Sequence, residues 1–78
     1  MDDDLSSLQR LVDSLFARER AVTRLDAIIR AENLDLDEGA REVVELLPPG
    51  RYTRQRLCDQ VNSCLKGHGW TGRYRTVE

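Results

Sequence analysis

Apolar side chains return at helical spacing along the first part of the chain. Leu8, Leu15, Val22 and Ile29 recur every seven residues, and Leu11 and Leu25 fall three residues after members of that series. No Gly or Pro interrupts the run, so the pattern predicts one long helix over residues 4–33, with the carboxylates of Asp2, Asp3 and Asp4 at its positive end. Leu5, Val12, Phe16 and Ile28 widen the seam into a stripe that suits a bundle better than a strict two-stranded coil. A kink or break near Ala17 to Ala21 would let each half face a different neighbour. The seam residues Leu8, Leu11, Leu15, Val22, Leu25 and Ile29 are the candidate dimerisation surface, weighed against a purely intramolecular core.

The pattern then shortens. Leu34-Asp35-Leu36 alternates as a short connector, and Asp35 or Asp37 can cap a helix over 37–47 that places Ala40, Val43, Val44 and Leu47 on one face, with Glu42 and Glu45 opposite. Pro48, Pro49 and Gly50 end it, because proline supplies no N–H and pushes the preceding residue out of the α region. Thr53 is the N-cap of a third helix over 53–66, with Tyr52 placed to staple onto Leu57 and Gly67 as an αL stop. Leu57, Cys58, Val61, Cys64 and Leu65 share the inner arc of that helix. Gln55, Arg56, Asp59, Asn62, Ser63 and Lys66 face the other way.

In the tail, residues 68–78, Trp70, Tyr74 and Thr76 alternate with Arg73, Arg75 and Val77 as a strand with two faces would, and Gly69 and Gly72 supply turns. The predicted fold is mainly α, a single small domain over 1–78: three helices in a helix-turn-helix-like order, the first long, and a short C-terminal β-hairpin or strand. Helix, short strand at 34–36, helix, turn, helix and tail over residues 34–78 resemble the winged-helix family in architecture, without a family-specific motif. That resemblance implies DNA binding, with Gln55, Arg56, Asn62 and Lys66 facing the groove and Arg73 and Arg75 on the wing. Arg51, Arg54 and Ser63 complete the candidate DNA contacts, since Arg and Ser hold phosphates and Asn, Gln and Arg pair with base edges.

Charge sharpens this picture. The net charge is −2, but residues 1–49 carry 12 acids against 6 Arg, giving −6, whereas residues 50–78 carry 6 basic residues against 2 acids, giving +4. A basic end points to nucleic acid or an acidic surface. It also serves mutual attraction of the two ends within one small domain. Eleven of the twelve basic residues are Arg, a bias fitting a GC-rich bacterial or phage source.

The candidate chemistry changes little. Cys58 and Cys64 lie about 9 Å apart along one helix at 1.5 Å per residue, too far to bridge, and read as reduced core thiols. Cys64 and His68 have helical metal-ligand spacing, but two ligands are too few for a structural zinc site. His68 has no evident nucleophile or orienting carboxylate, and GHG lacks the strand and helix of a phosphate loop. No apolar run reaches the roughly 18 residues of a membrane span, and MDDDLSS has no basic leader, so a soluble cytoplasmic protein is expected. The sequence therefore points to a non-enzyme without cofactor, metal or small-molecule substrate: a small DNA-binding regulator that dimerises through its first helix. The alternative is a protein-binding module, such as a phage-encoded inhibitor or adaptor of a host complex.

Overall fold

Two tripeptides decide how the chain folds. In the computed structural model, which describes residues 6–78, Ala21–Thr23 forms strand β1 and Arg51–Thr53 forms strand β2. They pair antiparallel in the register Ala21↔Thr53, Val22↔Tyr52 and Thr23↔Arg51. Val22 and Tyr52, at the centre, are both buried, and the Arg24 N–H donates to the Gly50 carbonyl to extend the ladder by one rung. Each strand ends in Thr and passes without a loop into a helix that opens on Arg: β1 into α2 (Arg24–Asn33) and β2 into α4 (Arg54–Gly67). Both threonines are N-caps. Thr23 accepts from the Asp26 N–H while the Asp26 carboxylate accepts from the Thr23 N–H, a full capping box, and Thr53 accepts from the Arg56 N–H.

The expected helix over 4–33 is thereby corrected to two helices, α1 (Ser7–Leu15) and α2, with a turn and β1 between them. The break anticipated at Ala17 to Ala21 is real and is deeper than a kink. Thr23 can cap only if the backbone before it is extended, and β-branched Val22 and Thr23 pair with β2 instead of prolonging α1. Arg30 of α2 reaches back to the carbonyl and hydroxyl of Ser14 and satisfies an acceptor at the end of α1. The expected caps Asp2 to Asp4, and Leu5, lie outside the described residues.

The third helix, α3 (Glu38–Glu45), starts at Asp37, whose carboxylate accepts from the Ala40 N–H. The expected strand at Leu34-Asp35-Leu36 is instead the C-terminal cap of α2. Asp35 has φ 55°, its N–H donates to the Glu32 carbonyl, and the Leu36 N–H donates to the Ala31 carbonyl while the Leu36 side chain is buried. That is a Schellman motif, with Asp in the left-handed position that glycine usually fills. The same motif ends α4, two residues later than expected. Gly69 has φ 70°, its N–H donates to Lys66, and the Trp70 N–H donates to Leu65; Gly67 remains helical.

The core is one cluster. Leu8, Leu11, Val12 and Leu15 of α1 meet Val22, Ala27, Ala31, Val43, Val44, Tyr52, Leu57, Val61 and Leu65, with Tyr74 and Val77 of the tail. The tail forms a turn at residues 71–73 and no strand, so the expected hairpin or wing is absent from it. Among the described residues the fold is thus four helices with a two-stranded antiparallel sheet, and no helix is long and apolar enough to cross a membrane.

Asp35 gives a test of the cap geometry. Although it is exposed, Asp35→Val should lower stability by about 1 to 2 kcal/mol, the cost of a left-handed conformation for a side chain that cannot bond locally. Chemical denaturation checks this. A change within the usual surface range of about 0.5 kcal/mol would contradict the cap.

Candidate functional site

The outer side of α4 divides into two parts. Asn62, expected to read a base edge, makes both hydrogen bonds of its carboxamide to one residue of the tail: its amide donates to the Val77 carbonyl at 2.9 Å and its carbonyl accepts from the Val77 N–H at 2.7 Å. Gln9 of α1 treats the next residue in the same way. Its amide donates to the Glu78 carbonyl at 2.9 Å, and its carbonyl accepts from the Glu78 N–H at 3.0 Å. Arg54 adds a third contact, donating to the Glu78 carbonyl at 2.8 Å and pairing with Asp13 of α1 at 2.6 Å. Gln55 donates to Asp59 one turn on. Tail residues 77 and 78 therefore lie in a groove between α1 and α4, with Val77 buried in it.

The second part faces water. Arg56, Ser63 and Lys66 are exposed on α4, as are Arg51 on β2 and Arg75 on the tail. Arg73 lies 5.6 Å from the ring centre of Tyr74, a cation–π contact, and lines an acidic surface cleft with Asp37, Glu38, Glu42 and Glu45. Of the nine candidate DNA contacts, Arg54, Gln55 and Asn62 thus have hydrogen-bond partners inside the chain, and Arg73 stacks on its neighbour. His68 stacks on Trp70 with ring centres 4.6 Å apart.

The dimerisation candidates also divide. Leu8, Leu11, Leu15 and Val22 are in the monomer core, because the chain break folds α1 back over α2 and α4. Leu25 and Ile29, one turn apart on α2, are 62 and 48% exposed. Beyond them, Leu46 at the end of α3 is 46% exposed. Arg24, beside Leu25, donates to the Glu45 carbonyl beside Leu46 at 2.8 Å, which ties the two helix ends together.

Asp37 is the polar junction that sequence reasoning placed only as a helix cap. It accepts from the Tyr74 hydroxyl as well as from the Ala40 N–H, and the Ser7 side chain of α1 also favours its charged form. Burial pushes its carboxyl up, but these hydrogen bonds outweigh that and hold it below the ordinary value of 3.8. The Arg54 hydrogen bond likewise lowers Asp13, with Gln9 assisting. Gly39, in the first turn of α3, admits the Tyr74 ring; a methyl group there would overlap the hydroxyl. That glycine was the one local sign of this packing, a helix-disfavouring residue where Ala would otherwise serve.

Burial raises both thiols, Cys58 and Cys64, above their ordinary value, which suits unreactive core residues. No group of three metal-ligating side chains converges among the described residues. Compared with known protein families, curated proteins and solved structures, the chain matches none.

Two variants test the Asp37 junction. Tyr74→Phe should cost about 1 to 3 kcal/mol at neutral pH, as loss of a hydrogen bond to a charged group does. Because the folded-state carboxyl titrates below 3.8, its contribution is complete above that value and disappears as pH falls through the folded pKa. The gap between wild type and Tyr74→Phe should therefore close in acid, and a gap independent of pH would contradict the assignment. Gly39→Ala should cost about 1 to 3 kcal/mol by overpacking, despite the better helix propensity of Ala. Thermal melts reporting equal or greater stability would show that Tyr74 does not sit there.

Proposed function

We propose that the chain is a non-catalytic protein-binding module that engages its partner through the outer face of α2. The observation that carries this reading is the exposure of Leu25 and Ile29 in a chain that buries Leu8, Leu11, Leu15, Leu36, Leu47, Leu57 and Leu65 to within 4%. Aliphatic side chains grouped on one exposed face are the usual mark of a contact surface. Ile29 also edges a shallow cleft with Leu15 and Val22, rimmed by Glu19, Asp26, Arg30 and Asn33. Exposed aliphatic side chains beside a rim of mixed charge fit a partner that presents an aliphatic side chain flanked by polar groups. A small inhibitor or adaptor of a larger complex works in this way, by occupying a surface and not by chemistry. A second copy of the chain is one such partner.

The DNA-binding reading rests on Arg56, Lys66 and Arg75, which are exposed and make no side-chain hydrogen bond or ion pair among the described residues. It is the weaker proposal, since Asn62 and Arg54 are engaged with the tail and a monomer offers few free cations for phosphate contacts.

The two readings separate on one pair of variants. Leu25→Asp with Ile29→Asp should leave the circular dichroism spectrum unchanged and abolish both self-association in sedimentation and retention of any partner captured by the wild-type chain. Arg56→Ala with Lys66→Ala should alter neither. Fluorescence anisotropy should show no duplex DNA binding at low salt with a dissociation constant below about 10⁻⁴ M, the weak end of non-specific binding. Tighter binding, lost in Arg56→Ala with Lys66→Ala, would overturn the proposal in favour of DNA.

A further inference from the structure

The groove between α1 and α4 holds its segment in an unusual manner. Residues 77 and 78 lie outside the β1–β2 ladder, and the side-chain contacts that seat them go to their own N–H and C=O groups. Two carboxamides, Asn62 and Gln9, each pair with the N–H and the C=O of one residue, as a neighbouring strand would. Arg54 is held by Asp13 in position to bind the same Glu78 carbonyl that Gln9 binds. Contacts of this kind read an extended backbone and tolerate many sequences; side-chain choice comes from the pockets beneath. Here the inward side chain is Val77, buried in the core cluster, and it and the buried Cys58 line the same open cleft. Arg75 and Thr76, which lead into the groove, are exposed.

We infer that this groove is a binding site for an extended peptide segment of a partner protein, one with a β-branched residue at the place of Val77, and that the chain's own tail is its resident competitor. The resident segment defines the chemistry: two successive residues presenting their N–H and C=O groups edge-on, an aliphatic side chain pointing inward, and no need for a particular residue before it. Tyr74 anchors the tail upstream on Asp37 and Gly39, so release can stop at residue 75 and cost the core only Val77. The site is separate from the α2 face, and its test does not depend on that surface.

The experiment uses the full-length chain and a fluorescein-labelled peptide, Arg-Tyr-Arg-Thr-Val-Glu, that copies residues 73–78. Val77→Asp expels the tail from the groove without touching Asn62 or Gln9. In fluorescence anisotropy this variant should bind the peptide at least about tenfold more tightly than wild type, in which the tethered tail competes at high effective concentration. Adding Asn62→Ala should remove the binding. Failure of a folded Val77→Asp chain to bind, or equal binding by wild type, would overturn the inference. Self-association of the wild-type chain that is lost in Val77→Asp would instead name a second copy's tail as the occupant, and overturn the assignment to a partner protein.

A second readout needs no destabilising change. In a Cys64→Ser background, iodoacetamide should reach Cys58 through tail release, so its rate should depend on urea much less steeply than global unfolding does. A dependence as steep as global unfolding would show the tail to be a permanent part of the core and would overturn the inference.

Discussion

The pairing of Val22 with Tyr52 is the constraint on which the other arrangements depend. It joins positions thirty residues apart in the chain by a ladder only three residues long, and it does so at the points where two helices begin. A ladder that short is marginal by itself. It persists because its central side chains are core residues and because its last residue on each strand is a threonine already committed to capping a helix. The Tyr52 hydroxyl also donates to the Pro48 carbonyl, which fixes the turn before β2. Once the pair forms, α2 and α4 leave from adjacent points. The space between them is filled by α1 and α3, and the N-terminal leucines are consumed in the monomer.

A second layer of constraint is polar and concerns the tail. Asp37 joins α3 to Tyr74 and receives support from Ser7 of α1, while Asn62, Gln9 and Arg54 hold residues 77 and 78 across α1 and α4. Part of the charge asymmetry between the two halves is therefore internal: Arg54 of the basic half pairs with Asp13 of the acidic half. An exposed pair of this kind contributes at most about 1 kcal/mol. Its greater importance is positional, because Asp13 aims the guanidinium at the Glu78 carbonyl. Side chains that suit recognition of another molecule are thus engaged with the chain's own backbone, whereas Leu25 and Ile29 of α2 stay exposed.

What was legible in the sequence was local. Asp37 as one of two candidate caps, Thr53 as a cap, Pro48-Pro49-Gly50 as a stop and the inward arc of Leu57, Val61 and Leu65 each depend on neighbours within a turn or two. The division of the first helix was also written locally, in Thr23-Arg24-Leu25-Asp26, a capping-box pattern before an apolar run, but the heptad spacing of the leucines masked it. That spacing was real and misleading together: Leu15 and Val22 are seven apart, yet they reach one core from opposite sides of a turn. Asp35 read as part of a strand because aspartate at a left-handed position gives a weaker signal than glycine. The groove was not legible, since Gln9 and Glu78 are at opposite ends of the chain, and neither residue carries a local pattern that predicts the other.

The central claim is that the chain folds back at residues 16–20 and pairs β1 with β2, instead of continuing as one helix with its seam turned to a partner. Solution NMR tests this most directly, through the nuclear Overhauser contacts of Val22. The account predicts cross-strand contacts from Val22 to Tyr52, between Ala21 and Thr53, and between Thr23 and Arg51, with the helical sequence of contacts interrupted from Phe16 to Thr23. An unbroken series of helical contacts from Leu8 to Asn33, without any contact between Val22 and Tyr52, would contradict it.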